Sequence, residues 1–256
     1  MLRRPTLIAL FATMVAAPLQ AELRIETRHE TRRIDAATPQ DPVLTMIGNL
    51  AIGQLPTGTI LTIVGERGLR VEFGSASSAG IPAGSVMLQR GDSFVILNPN
   101  DQTYWTLPSM ASASAILSGA VRAQSSQPTG EFATVAGVRA ERRTFLLTMN
   151  IPLPKGVTLP PGFPTTLMFE GESWVTDRFA SYASALTAPL QAILPGPLAT
   201  LAAQDGLAVR TITRSAQFGY EIESIVTKLE EMTVAPELFE IPTGYKEVPR
   251  PSPRLP

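Results

Sequence analysis

The chain has 256 residues, with 21 Lys plus Arg against 22 Asp plus Glu, a single histidine and no cysteine. Without cysteine there is no disulfide framework, so the core alone must hold the fold, and an acyl tether on an N-terminal cysteine is excluded. The near-neutral charge lacks the basic footprint that nucleic acid demands, and a zinc site would have to rest largely on carboxylates, which is uncommon.

Residues 1–21, MLRRPTLIALFATMVAAPLQA, place Arg3 and Arg4 ahead of an apolar run from Leu7 to Ala17 and end on Ala21. That is the pattern of a secretory signal peptide. The run is about 11 residues where a spanning helix takes about 20, so no transmembrane anchor is expected after cleavage between Ala21 and Glu22. Losing Arg3 and Arg4 takes Lys plus Arg from 21 to 19 against 22 acidic residues, a net charge of −3. The expected organisation is a signal peptide at 1–21, one β-rich domain at 22–248 and a Pro-rich extended tail at 249–256. Export to the periplasm is expected first, and secretion second.

The mature chain opens ELRIETRHETRRI. Glu22, Arg24, Glu26, Arg28, Glu30 and Arg32 occupy every second position, which puts alternating charges on one face of a strand. Leu23, Ile25, Thr27, His29, Thr31 and Arg33 fall on the other, increasingly polar towards its end. Residues 36–58 are rich in Pro, Gly and Asp but enclose an apolar stretch. A short helix or flap is expected there, with Asp41 as N-cap and Pro42 in the first turn. TILTIVG, GLRVEFG, SVMLQ, SFVILN and TYWTLP then read as successive short strands broken by Gly, Asp, Asn and Pro.

Between SVMLQ and SFVILN lies RGDS, Arg90 to Ser93, an adhesion string that here reads as a hairpin turn. GDS also opens the nucleophile block of one esterase class. That chemistry needs a histidine near the C-terminus, whereas His29 lies at the other end. Residues 109–123, SMASASAILSGAVRA, are rich in small residues and read as a helix ahead of a polar linker, QSSQPTG. EFATVAG, VRAERRTFLLTM and LMFEGESWVTD are strands, the last two separated by a Pro-rich loop. RFASYASALTAPLQAIL reads as a helix broken by Pro189, and two long strands around Gly219 lead to a closing FEIPTGYKEVP.

Few side chains suggest chemistry. The P-loop, the dinucleotide fingerprint and the H-E-x-x-H block are absent from the sequence, and no cofactor or metal is expected. His29, beside Thr27 and Thr31, either lines a cavity or sits at the edge of a core. Glu170 and Glu172 share a strand face and read as a solvated ladder. Trp105, Trp174, Phe179 and Tyr182 are core aromatics whose functional alternative is lining an apolar pocket. Small or hydroxyl-bearing positions, Ala133, Thr211, Thr213 and Ser224, favour an incompletely filled sheet interior.

GLRVEF, LNPNDQTYWTLP, TGEFATVAGVRAER, ESWVTDRFASYA and VAPELFEIPTGYKEV together resemble a family of bacterial exported proteins, domain of unknown function number 4412. The matching blocks are Asn98 to Tyr104, Thr134 to Ala140, Trp174 to Asp177 and the F-x-x-P-x-G-Y block Phe239 to Tyr245, within residues 60–247. The resemblance implies a fold like the periplasmic lipoprotein carriers. That is a mainly β (α+β) chain with a curved antiparallel sheet forming an unclosed barrel, and a few short helices over its concave face. It carries over no catalytic residue, and insertions at 35–58 and 150–166 bear on whether the cavity stays open. The expected function is binding a hydrophobic small molecule or acyl chain in the bacterial envelope without catalysis. The alternative is a structural protein with a filled core and an envelope protein as partner, with a hydrolase third.

Overall fold

The computed structural model describes residues 21–34, 57–75, 81–91, 93–107, 121–150, 165–183, 185–186 and 206–251. The expected signal peptide up to residue 20, all but the last two residues of the flap at 36–58, residues 109–120, the loop at 151–164, the expected helix break at Pro189 with the segment after it, and the last residues of the tail lie outside them. Twelve strands form one sheet: β1 (Glu22–Arg33), β2 (Gly58–Gly65), β3 (Gly68–Phe73), β4 (Val86–Arg90), β5 (Ser93–Asn98), β6 (Thr103–Leu107), β7 (Val121–Val135), β8 (Val138–Asn150), β9 (Thr166–Thr176), β10 (Leu207–Ser215), β11 (Tyr220–Met232) and β12 (Lys246–Glu247). Their spatial order is β12-β6-β5-β4-β3-β2-β1-β11-β10-β9-β8-β7. Two meanders, β1 to β6 and β7 to β11, are thus joined where β1 pairs with β11. All neighbours are antiparallel except β12, which runs parallel to β6. The edges β7 and β12 stay apart, which makes the unclosed, mainly β half-barrel that the sequence led us to expect. Bulges at Glu26/Thr27, at Ala208/Arg210 and twice in the β7–β8 pair bend the sheet.

The hairpins fall where the turn residues put them. Ala136 and Gly137, with φ of 48° and 78°, form the two-residue turn between β7 and β8, a geometry that matches the twist of the flanking strands. Arg90 pairs with Ser93, so RGDS spans the β4–β5 turn. One segment differs from expectation. Residues 121–123 and the polar stretch QSSQPTG belong to β7, not to a helix and a linker. At the sheet edge only one side of the strand needs partners, so Pro128 opposite Arg143 is tolerated and the Ser- and Gln-rich composition is paired into place by β8.

Direct partners on neighbouring strands point to the same side of a sheet, so the register assigns each side chain to a face. The face carrying Leu23 and Ile25 is called inner here. On the N-terminal half it is apolar: Ile25, Thr62, Val71, Met87, Ile96 and Trp105 stand side by side across β1 to β6. Leu23, Val64, Met87 and Ile96 are fully buried there, each contributing about 1.5–3 kcal/mol of burial free energy before the cost of ordering the chain. Phe179, just ahead of the helical turn at 180–183, and Leu186, from the one at 185–186, join this cluster.

The outer face divides in two. Over β4, β5 and part of β2 it is apolar and covered by the C-terminal segment, with the Arg70–Glu72 pair of β3 between them: Ile241 and Tyr245 lie on Val86, Leu88, Val95 and Leu97, while Val234 and Phe239 lie on Ile63. The guanidinium of Arg67 donates to the Val234 carbonyl at 2.8 Å and that of Arg70 to the Leu238 carbonyl at 2.9 Å, while Val248 N–H donates to the Tyr104 carbonyl at 2.8 Å. The F-x-x-P-x-G-Y block is therefore a clasp. Over the C-terminal half the outer face is ionic, with the sign of charge alternating strand by strand. Arg32 of β1 meets Glu221 of β11 at 2.5 Å, Glu221 meets Arg214 of β10 at 2.6 Å, and Arg214 meets Glu172 of β9 at 3.5 Å. Glu172 then meets Arg142 of β8 at 2.5 Å, and Arg142 meets Glu131 of β7 at 2.6 Å.

Candidate functional site

Where the outer face is ionic, the inner face carries a row of another kind. His29, Ser224, Thr211, Ser173 and Arg143 are direct partners in succession across β1, β11, β10, β9 and β8. A second row beside it runs Thr31, Ile222, Thr213, Gly171 and Phe145. These positions are mostly small or hydroxyl-bearing, in contrast to the apolar row on β1 to β6. Beyond them, at the far end of the strands, Leu147, Met149, Phe169, Phe218, Tyr220 and Ile222 form a second apolar cluster. The inner face is thus apolar at both ends and polar between.

Gly171 marks how closely the strands approach. A Cβ there would stand 1.9 Å from the Ile212 carbonyl oxygen and 2.8 Å from the Phe145 ring, so only glycine lets these groups come together. His29 Nδ1 and Ser224 Oγ share a hydrogen bond of 2.8 Å, whose donor depends on the imidazole tautomer. The ring keeps part of its surface exposed, yet burial lowers its pKa from 6.5 to about 4. A group that is surrounded by protein and still partly open fits the wall of a recess better than a flat sheet. At neutral pH the imidazole is uncharged.

A serine beside a histidine is where nucleophilic catalysis begins. Here the imidazole is a weak base, and among the described residues no carboxylate orients its other nitrogen. Ser93 is elsewhere: β2, β3 and β4 lie between its strand and that of His29, and its hydroxyl donates to the Arg90 carbonyl at 3.0 Å within the turn. Among the described residues no group of three or more His, Asp or Glu side chains is placed to hold a metal ion.

The other sequence candidates spread over the molecule. Thr213 stands next to Thr211 on the inner face, and Trp105 closes the N-terminal apolar row. Phe179 and Tyr182 pack together at 6.4 Å between ring centroids, and Tyr182 donates to the Ala21 carbonyl at 3.2 Å. Trp174 has the strand parity of the ionic face but is buried in the main apolar cluster with Phe179, Leu207 and Val209, and Arg210 and Arg142 lie 4.6 Å and 5.9 Å from its ring. Ala133, paired with Ala140, shares that outer parity and is exposed. Glu172 stands in the ladder tied to two arginines, but its side chain is largely covered rather than solvated. Two row members, Ser173 and Arg143, were not among the candidates. Arg142 and Arg143 are adjacent in sequence and project to opposite faces, so only register tells them apart.

No family model and no curated protein matches the chain, so the resemblance to the family numbered 4412 rests on the sequence blocks alone. Solved structures that resemble it include the following two. One is an uncharacterized conserved protein from Thermus thermophilus, with a TM-score of 0.41 and 11% identity over 90% of this chain and 91% of that one. The other is the Mycobacterium tuberculosis lipoprotein LppX, with a TM-score of 0.33 and 13% identity over 82% of this chain and 86% of that one.

Proposed function

We propose that the protein is an exported binding protein of the bacterial envelope that holds a hydrophobic, lipid-like molecule along the inner face of its open sheet, without catalysis of its own. The observation that carries this reading is the change in side-chain size across that face. In the middle of the sheet, where a filled core places its bulkiest residues, stand Ser173, Thr211, Thr213 and Ser224, between two apolar clusters. Small side chains there leave room, and the flanking clusters supply apolar walls, the combination that small-molecule sites use. Export is supported by the signal-peptide pattern of residues 1–21. Among the described residues no helix is long and apolar enough to cross a membrane.

A second reading, an envelope scaffold with a filled core, draws on the complete burial of Leu23, Val64, Met87 and Ile96 in the N-terminal half. The two separate on filling the row. The full mature chain should take up the neutral apolar probe N-phenyl-1-naphthylamine with a rise in fluorescence, and Thr211→Trp should weaken uptake about tenfold or more while leaving the circular dichroism spectrum unchanged. No uptake by the unaltered protein, or the same uptake by the variant, favours the scaffold.

A further inference from the structure

Arg143 ends the polar row in an unusual state for a guanidinium. Its side chain is three-quarters covered, with 24% exposed, and the buried Nε has no hydrogen-bond partner among the described residues. Its one ionic neighbour among them is Glu141, on the same face two residues earlier, at 3.7 Å, too long for a hydrogen bond. The other described arginines of this half's ionic ladder sit in tight pairs on the outer face: Arg32, Arg142, Arg210 and Arg214 each reach a carboxylate at 2.5–2.7 Å. Two further buried polar atoms on the inner face, Thr31 Oγ1 and Ser215 Oγ, also lack partners among the described residues. Leaving buried donors unmade is costly, and a guanidinium fork matches a carboxylate or phosphate in shape and charge.

Resting on the binding reading above, we propose that the ligand is an anionic amphiphile. Its carboxylate or phosphate head docks on Arg143, and its hydrocarbon lies along the row of Ser173, Thr211 and Ser224 towards the apolar clusters. Glu141 limits the affinity by repelling the same head. The ligand class is set by one fork-shaped donor with apolar walls on either side, which favours a single anionic group on a long tail over a small free anion.

The test titrates the full mature chain with cis-parinaric acid and with its neutral methyl ester, which share one fluorescent tail. The acid should bind at least tenfold more tightly than the ester. Arg143→Gln should weaken the acid about ten- to a hundredfold and leave the ester within twofold, while Glu141→Gln should tighten the acid. Arg143→Lys, which keeps the charge and loses the fork, should retain a reduced preference and covers the case in which the glutamine variant does not fold. Equal binding of acid and ester, or parallel loss of both in Arg143→Gln, overturns the headgroup assignment and leaves the hydrophobic-binding reading standing. Displacement of the acid by inorganic phosphate at equal concentration also overturns it, because the site would then take free anions. Binding of neither probe removes both proposals.

Discussion

The imidazole of His29 couples the inner face to pH. Burial lowers its pKa to about 4 in the folded chain, against about 6.5 when exposed. Between those values the unfolded chain binds more protons than the folded one, so stability is fully present above pH 6.5 and declines as the pH falls towards 4. From about pH 7 to about pH 5 the linkage amounts to about 2 kcal/mol, an upper figure because water still reaches the ring. The paired carboxylates of Glu221 and Glu230 are shifted downward, away from that window. Burial alone would raise the pKa of Glu221, but hydrogen bonds from Arg32 and Arg214 outweigh it and the net shift is downward, so its contribution is lost only in more acid solution. Glu230 is lowered too, by hydrogen bonds from Lys228 and Arg24. Urea unfolding at pH 7 and pH 5 should therefore show the loss in the unaltered protein and a much flatter response in His29→Asn. The same slope in both would mean that the imidazole is not the coupled group.

At the scale of elements, each long strand of the C-terminal half carries ions on one face and the candidate site on the other. The ladder from Arg32 to Glu131 crosses β1, β11, β10, β9, β8 and β7, and each pair keeps a partly exposed arginine even where its glutamate is covered, so each contributes modestly and is screened by salt. Glu172 is a well-covered acid at its centre and pairs with two arginines. Glu172→Gln should lower Tm by roughly 2–4 °C in low salt, and the gap to the unaltered protein should narrow as salt rises. A gap that is insensitive to salt would assign the loss to packing instead. Strands of this kind were legible in the sequence because one face of each is buried: GLRVEF shows buried Leu69, Val71 and Phe73 alternating with the paired Arg70 and Glu72. β7 was less so. Its Ser, Gln and Pro suit an edge, and an edge strand is defined by its neighbour more than by its own pattern.

At the scale of the whole molecule, the pairing of β1 with β11 decides the site. Residues 195 positions apart, His29 and Ser224, meet only because the strands nearest the two ends of the domain close the join between the meanders. Period-two reading put His29, Thr211 and Ser224 among the inward candidates. It could not place serine opposite histidine, or Arg143 at the end of the same row, because bulges at Glu26/Thr27 and Ala208/Arg210 shift the register in ways no local pattern records. The clasp shows the same limit. In sequence Ile241 and Tyr245 belong only to a closing segment, and the outer face of β4 and β5, strands apolar on both sides, supplies the surface that they cover.

The central claim is that the inner face holds a hydrophobic ligand, and native mass spectrometry of the mature protein purified from its own envelope tests it most directly. The account predicts a stoichiometric added mass that solvent extraction releases as a lipid-like molecule, and that is missing from Thr211→Trp prepared in the same way. A mass equal to that of the bare polypeptide, together with no uptake of apolar probes, would contradict it and leave the sheet as a scaffold.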